Sequence, residues 1–237
     1  MRLFIKKEVL AIALALSTSS AFAESIDLKV TGKIIPPACT TAFASGGGTV
    51  DFGNILTSTL NPSQATALAE IKSVPVTITC DEATRVGVTF TDQRADSRPT
   101  EDLGVYTDPN MALGQAGYFG LGFTAADSTT KIGAYTLAIG KTGATNADGK
   151  SLYAASSFDG GSSWSALYRD MRLPIFTSKA EVVGFSDDVA ISSGLVSAEK
   201  LLNFNVDVSV IINSLSELQV KDEIVLDGLT SIDVVYL

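Results

Sequence analysis

The sequence predicts an all-β protein, a sandwich or barrel made mainly of antiparallel strands. Runs of alternating apolar and polar residues recur along most of the 237 residues, as expected of strands with one buried face. Short clusters of Gly, Asp, Asn, Ser and Pro separate these runs and are typical of turns. No helical segments alternate with the strands, so we expect a single all-β domain with long loops.

The first 23 residues have the layout of a secretory signal peptide. Arg2, Lys6 and Lys7 form a basic start, an apolar run covers Val9 to Leu16, and Ala21-Phe22-Ala23 ends the segment. The apolar run is far shorter than the roughly 20 residues of a membrane-spanning helix. We therefore expect cleavage after residue 23, export to the periplasm, and no direct insertion into the membrane.

The next segment, residues 24–31, alternates with period two. Its apolar positions are Ile26, Leu28 and Val30, with charged residues between them. We expect it to be an N-terminal extension, followed by a domain over residues 32–237. The first strand of that domain is expected from Lys33 to Thr40.

Two cysteines, Cys39 and Cys80, follow the extension. In an oxidising compartment a small, even number of cysteines predicts disulfide bonding. A bond within the chain can join only these two. A loop of this length would add roughly 4 kcal/mol of stability in the chain-entropy model.

The runs Val74–Cys80 and Arg85–Thr91 both alternate, with a short polar stretch between them. They predict either two strands of a meander or one long strand with a kink. Short helices are candidates at residues 61–71 and 197–202.

The middle of the chain, from Asp92 to about Arg169, is rich in turn residues. Strand patterns persist at Gly117–Phe123 and Gly133–Ile139, so we expect β-structure with long loops. Trp164 is the only tryptophan. It could stack on a bound sugar or pack into one end of the sandwich, and we favour packing.

The last third has the longest alternation, Leu202–Ile212, with apolar residues on one face and Asn, Asp and Ser on the other. This pattern predicts an antiparallel strand with one face in water. In the final nine residues Ile232, Val234 and Tyr236 share one face of another strand.

Composition argues against several functions. The net charge is −9 without a basic cluster, which is unfavourable for nucleic acid or anionic membranes. Histidine is absent, so the commonest general base and metal ligand is missing. The stretch Asn146–Ser151 resembles only a fragment of a calcium loop. We therefore predict no enzyme activity, no metal and no cofactor.

Five short motifs occur in a characteristic order along the chain. They are Lys33–Thr40 (KIIPPACT), Val50–Gly53 (VDFG), Val76–Cys80 (VTITC), Asp222–Gly228 (DEIVLDG) and Val234–Leu237 (VVYL). Together with the predicted export, the chain resembles fimbrial subunits of the chaperone–usher type. More specifically, it resembles the family labelled beta-fimbria probable major subunit, catalogued as a domain of unknown function.

This resemblance implies an incomplete immunoglobulin-like, pilin-type β-sandwich that lacks its last strand and has its first two strands joined by Cys39 and Cys80. A periplasmic chaperone would fill the resulting groove. In the fibre the N-terminal extension of a neighbouring subunit would replace it, with Ile26, Leu28 and Val30 as the donor side chains.

In the same family the C-terminal strand, here with Ile232, Val234 and the penultimate Tyr236, is recognised by the chaperone and the outer-membrane usher. The resemblance therefore implies a structural subunit of a surface fimbria that is involved in cell adhesion. The alternative is a secreted monomeric module, adhesin-like or carbohydrate-binding, and it rests on the loop-rich middle region and Trp164.

Overall fold

The structure is a computed structural model, and it describes residues 28–35, 37–44, 46–166, 171–177 and 180–237. The chain divides into two units, Met1–Ile35 and Pro36–Leu237. In the first unit the described residues form neither helix nor strand. The predicted signal peptide and Ile26 lie outside the described residues.

The second unit is all-β, as predicted. Its strands are β1 (Cys39–Phe43), β2 (Thr66–Ala67), β3 (Lys72–Asp92), β4 (Phe119–Gly120), β5 (Phe123–Thr124), β6 (Asp127–Lys131), β7 (Gly133–Asn146), β8 (Ser151–Ser157), β9 (Ser165–Ala166), β10 (Leu173–Pro174), β11 (Val182–Ser186), β12 (Ala198–Ile212) and β13 (Thr230–Tyr236). Short 3-10 helices lie at Gly46–Gly48, Thr57–Thr59, Ala95–Ser97, Pro109–Met111 and Gly114–Gly117, and one α-helical turn, α1, covers Leu215–Leu218.

The strand β3 runs for 21 residues without interruption, so the two alternating runs predicted around Cys80 form one long strand. Its first half pairs with β1 and β12. Its second half pairs with β13 and β11. One strand therefore takes part in both layers of the molecule.

The antiparallel pairings run β3–β11–β8–β7–β12 and return to β3, which closes a circuit around the core. One apolar cluster fills the space between the layers. The rings of Phe185 on β11 and Phe204 on β12 meet there with centroids 5.0 Å apart. The fold is thus an all-β barrel or sandwich in which the longest strand, β3, takes part in both layers.

The polar face of β12, predicted to be in water, is only partly so, because Asn203 and Asn205 are half-buried and the next two polar residues are buried. Asp207 and Ser209 are 3% and 2% exposed. The Asp207 carboxylate accepts a hydrogen bond of 2.6 Å from Arg172 Nε, and the Ser209 hydroxyl donates to Thr107 Oγ1 at 2.9 Å. The prediction was wrong at these two positions because Thr107, in the long connection after β3, and Arg172, directly before β10, supply polar partners.

Both predicted helices are also wrong. Residues 198–202 belong to β12, and residues 66–67 form β2, whose Ala67 pairs with Ile211. Strand pairing outweighs local helix propensity at these positions. Among the described residues no helix has the length and apolar character needed to cross a membrane.

Candidate functional site

The predicted disulfide is present and joins Cys39 to Cys80. The two cysteines lie directly opposite each other in the β1–β3 ladder. The bond therefore fixes the first residue of β1 to the middle of the long strand. The predicted first strand begins later than expected, because β1 starts at Cys39 and residues 33–35 lie outside any strand.

The strands β1 and β13 lie end to end along one edge of β3. Arg85 pairs with Ala198 of β12 on one side, and its carbonyl accepts from the Leu237 N–H on the other side at 3.1 Å. The junction is held by the Cys39 N–H, which donates to the Tyr236 hydroxyl at 2.8 Å. The C-terminal strand and the disulfide thus meet at one point.

The other ends of these two strands flank an apolar cavity of about 440 Å³, which we call the edge cavity. Phe43 closes β1 and Thr230 opens β13, and both line it. Its floor comes from strands β3, β7 and β12 through the buried or half-buried side chains of Val74, Tyr135, Leu137, Val206, Val208 and Val210. Alternate residues of each strand face it, as the period of two requires.

The first wall of the edge cavity is the Val50–Gly53 motif. The Asp51 carboxylate accepts from the Gly53 N–H at 2.7 Å, and Gly53 has a φ of +65°. This tight turn suits glycine because other residues rarely adopt a positive φ. It places Val50 and Phe52 against the cavity.

The second wall is the end of the Asp222–Gly228 motif, with Leu226 against the cavity. Arg94 holds it through two hydrogen bonds to the Asp227 carboxylate, at 2.8 and 3.2 Å, and these lower the pKa of Asp227. At Gly228 an added Cβ would lie 2.7 Å from the Tyr135 ring, so the wall packs closely only with glycine there.

Both walls of the edge cavity therefore come from short motifs that are visible in the sequence. Their positions in the fold were not predicted. The floor residues Val206, Val208 and Val210 were predicted only as one face of a strand. No spacing in the sequence brings this face together with the two motifs, because the three segments are far apart in the chain and meet only by folding.

The edge cavity offers apolar contact rather than charged groups. Its lining residues are all uncharged. The Tyr135 hydroxyl, which lies 2.6 Å from Thr230 Oγ1, stays protonated because burial raises the pKa of Tyr135 to about 12. Among the described residues no group of three or more His, Cys, Asp or Glu side chains is arranged to hold a metal. The arrangement suits the binding of apolar side chains.

The edge strands next to the cavity also have free backbone groups. In the described part of the chain β1 and β13 each pair with β3 alone, so the outer edge of both strands is open. An open edge is a template for another strand. Ile232 of β13 lines the cavity, Val234 packs against the core, and Tyr236 is half exposed.

Two of the three predicted donor residues, Leu28 and Val30, are described in the first unit, and both are exposed. Leu28 is 91% and Val30 is 88% exposed, and Ile34 is fully exposed. Removing apolar side chains from water is favourable by about 25 cal/mol for each Å² of surface that becomes buried. These side chains are therefore available to a partner.

Trp164 packs against the protein. Its ring packs closely against Gly184, where an added Cβ would lie only 2.7 Å from two ring atoms. The indole N–H donates to the Gly161 carbonyl at 3.1 Å. The Leu237 side chain packs on the same glycine-rich turn, and a Cβ added at Gly161 would lie only 2.5 Å from it. These contacts agree with the packing role that we favoured from sequence.

Residues 28–136 match the family model described as "Protein of unknown function (DUF1120)". Over 150 residues the chain is 32% identical to "Uncharacterized protein YhcF" of Escherichia coli (strain K12), and the match covers 60% of each protein. The chain thus spans about three fifths of the length of this curated relative. The family match includes the Val50–Gly53 wall of the edge cavity and stops before β12.

Proposed function

We propose that the protein is a structural subunit of a surface fimbria with a role in cell adhesion, exported through its N-terminal signal peptide and assembled by donor-strand complementation. Its fold would be an incomplete, immunoglobulin-like pilin-type sandwich. The observation that carries the proposal is the edge cavity between the open strands β1 and β13, in a chain whose N-terminal segment exposes alternating apolar residues.

The two features are complementary in chemistry. A strand added to an open edge gains backbone hydrogen bonds, and its alternate side chains enter pockets on one side. Full burial of a Leu or Val side chain contributes about 1.5–3 kcal/mol. Leu28 and Val30 together would thus supply a useful part of the free energy of association between neighbouring subunits.

The donor segment extends beyond the predicted residues 24–31. Residues 33–35 are not part of β1, and Ile34 continues the period of two from Val30 through Gly32. Pro36 and Pro37 follow, and proline lacks the N–H that a paired strand needs. We therefore extend the proposed donor strand to residues 24–35.

Before assembly the same cavity and edge need protection, because an exposed apolar groove next to an open strand promotes aggregation. A periplasmic chaperone that adds a temporary strand would provide it. The strand β13, with Ile232, Val234 and Tyr236, is the surface we assign to the chaperone and then to the outer-membrane usher.

Substitution of both donor side chains tests the assembly. Leu28→Asp with Val30→Asp places two charges on the apolar face, whereas Lys29→Asp with Thr31→Asp changes the opposite face of the same segment. We expect the first pair to abolish surface fibres, seen by electron microscopy, and the second to leave them. Equal assembly by both variants would show that this segment is not the donor.

A binding measurement separates assembly from secretion. Protein that begins at residue 36 is mixed with a synthetic peptide of residues 24–35, and the affinity is measured by fluorescence anisotropy. We expect saturable binding that the peptide with Leu28→Asp and Val30→Asp loses. If neither peptide binds, and the intact exported chain remains a monomer, the proposal is wrong.

A further inference from the structure

A second depression, of about 770 Å³, lies where residues 59–67 face residues 104–106. We call it the polar pocket. It shares no lining residue with the edge cavity. Its lining is Thr59, Leu60, Asn61, Pro62, Gln64, Ala65, Thr66, Ala67, Gly104, Val105 and Tyr106. None of these side chains is charged, so the pocket has no group to pair with an ionic ligand.

One side of the polar pocket is a loop held by its own hydrogen bonds. Asn61 Oδ1 accepts from the backbone N–H groups of Ser63 and Gln64, at 2.9 and 3.0 Å. Thr66 Oγ1 accepts from the Asn61 N–H at 2.9 Å, and the Leu215 N–H donates to the Asn61 carbonyl at 3.1 Å. The loop is therefore preformed, as a binding site requires.

The same loop presents polar groups that the fold does not use. Within the described part of the chain, neither the Gln64 side-chain amide nor Asn61 Nδ2 has a hydrogen-bond partner. Asn61 and Gln64 are both exposed. Side-chain amides both donate and accept hydrogen bonds, so the pocket can bind hydroxyl groups in either role.

The other side of the polar pocket is an aromatic ring in a fixed position. The Tyr106 hydroxyl donates to Asp102 Oδ1 at 2.5 Å, and the hydroxyl of the fully buried Tyr118 donates to the same oxygen at 2.7 Å. The hydrogen bond from Tyr106, with those from Gly104 and Tyr118, lowers the pKa of Asp102. The acceptor stays ionised, and Tyr106 keeps its orientation.

The Tyr106 ring can bind an apolar face of a ligand, and the side-chain amides of Asn61 and Gln64 can bind hydroxyl groups around it. A sugar ring has both, because its C–H groups pack on aromatic rings and its hydroxyls donate and accept. We propose that the polar pocket binds a neutral oligosaccharide, with one sugar ring against Tyr106 and its hydroxyls on Asn61 and Gln64. The net charge of −9 disfavours acidic sugars.

The test uses the chain from residue 24 on an array of neutral oligosaccharides ending in glucose, galactose, mannose or an N-acetylhexosamine, together with sialylated forms of each. We expect binding to neutral glycans only. By calorimetry with the strongest binder, Gln64→Ala should weaken binding several-fold and Tyr106→Ala at least tenfold. Asn110→Ala, which removes an exposed amide outside the pocket, should leave binding unchanged.

Gln64 is exposed and makes no side-chain contact that folding requires, so its variant keeps the test valid even if Tyr106→Ala fails to fold. The proposal is overturned if no neutral glycan binds, if sialylated glycans bind best, or if Gln64→Ala binds as the wild type does. Loss of binding in Trp164→Ala but not in Gln64→Ala would also overturn it. Binding by protein that begins at residue 36 makes the result independent of fibre assembly.

Discussion

The two halves of β3 have neighbours of different kinds. Where β3 pairs with β11, the layers are closed by strands, and Val88, Val183 and Phe185 are no more than 1% exposed. Where it pairs with β1, irregular segments cover the sheet, and the edge cavity of about 440 Å³ lies between them and the first residues of β13. Paired strands on the β11 side bury the core completely, whereas irregular segments on the β1 side leave a cavity beside an open strand edge.

This difference assigns different roles to the two halves. The closed half can supply stability because its apolar side chains are fully packed. The open half also buries Val76 and Ile78, but the edge cavity remains beside it, and side chains that line a cavity lose packing contacts on that side. The comparison can be tested by substitutions in each half and at the point where they join.

The largest expected effect is at the junction, where the disulfide joins β1 to the middle of β3. Replacement of both cysteines, Cys39→Ala with Cys80→Ala, should lower the free energy of unfolding by about 4 kcal/mol, because the unfolded chain regains the entropy of a loop that spans a separation of 41 residues. Urea denaturation of the oxidised wild type and of the double variant measures this. An unchanged midpoint would show that the halves do not depend on the bond.

A matched pair of valines compares the halves directly. Val183→Ala removes buried atoms from the closed half and leaves a sealed void, so we expect a loss of about 2–3 kcal/mol. Val208→Ala removes the same atoms beside the edge cavity, where space already exists, and should cost about 1 kcal/mol. Denaturant unfolding gives both values. Equal losses would mean that the cavity wall is as tightly packed as the core.

The smallest effect concerns acid pH at the second wall of the edge cavity. The hydrogen bonds and charge of Arg94 lower the pKa of Asp227 below its usual 3.8. The stabilising contribution is therefore complete above about pH 4 and is lost as the pH falls through the lowered pKa. We expect a lower hydrogen-exchange protection factor, corrected for the intrinsic rate at each pH, for the Asp227 amide, which donates to the Leu121 carbonyl, below that pH.

The variant Asp227→Asn is the control for this prediction. Its amide at this position should have a lower protection factor at neutral pH and lose the acid-dependent step, because a side-chain amide does not titrate in this range. An acid step of the same size in both proteins would assign it to another group. The loss in stability should be small, since both side chains of the ion pair are partly exposed.

The local sequence pattern was sufficient to predict some of the strands. The alternation of Val74–Cys80 and of Leu202–Ile212 predicted strands, and both are present, because a period of two reflects the backbone itself. The disulfide followed from having two cysteines. The helix predicted for residues 197–202 failed, since pairing with β3 and β7 outweighs the propensity of six residues.

The burial of polar residues could not be predicted from the local sequence pattern. Asp207 and Ser209 alternate with valines, as residues facing water would, yet both are buried against Arg172 and Thr107. A sequence shows that a side chain is polar but does not show whether water or another polar group will solvate it. That depends on where long connections return.

The sequence by itself determined the strand content, the cysteine pair and the apolar row that includes Leu28 and Val30, because each depends on neighbouring residues or on composition. Only the tertiary structure decided that Val50–Gly53 and residues 226–228 face each other across a cavity between β1 and β13. The physical reason is that these walls are joined through pairing with β3 and packing on β7 and β12, and such long-range contacts leave no period or spacing in the chain.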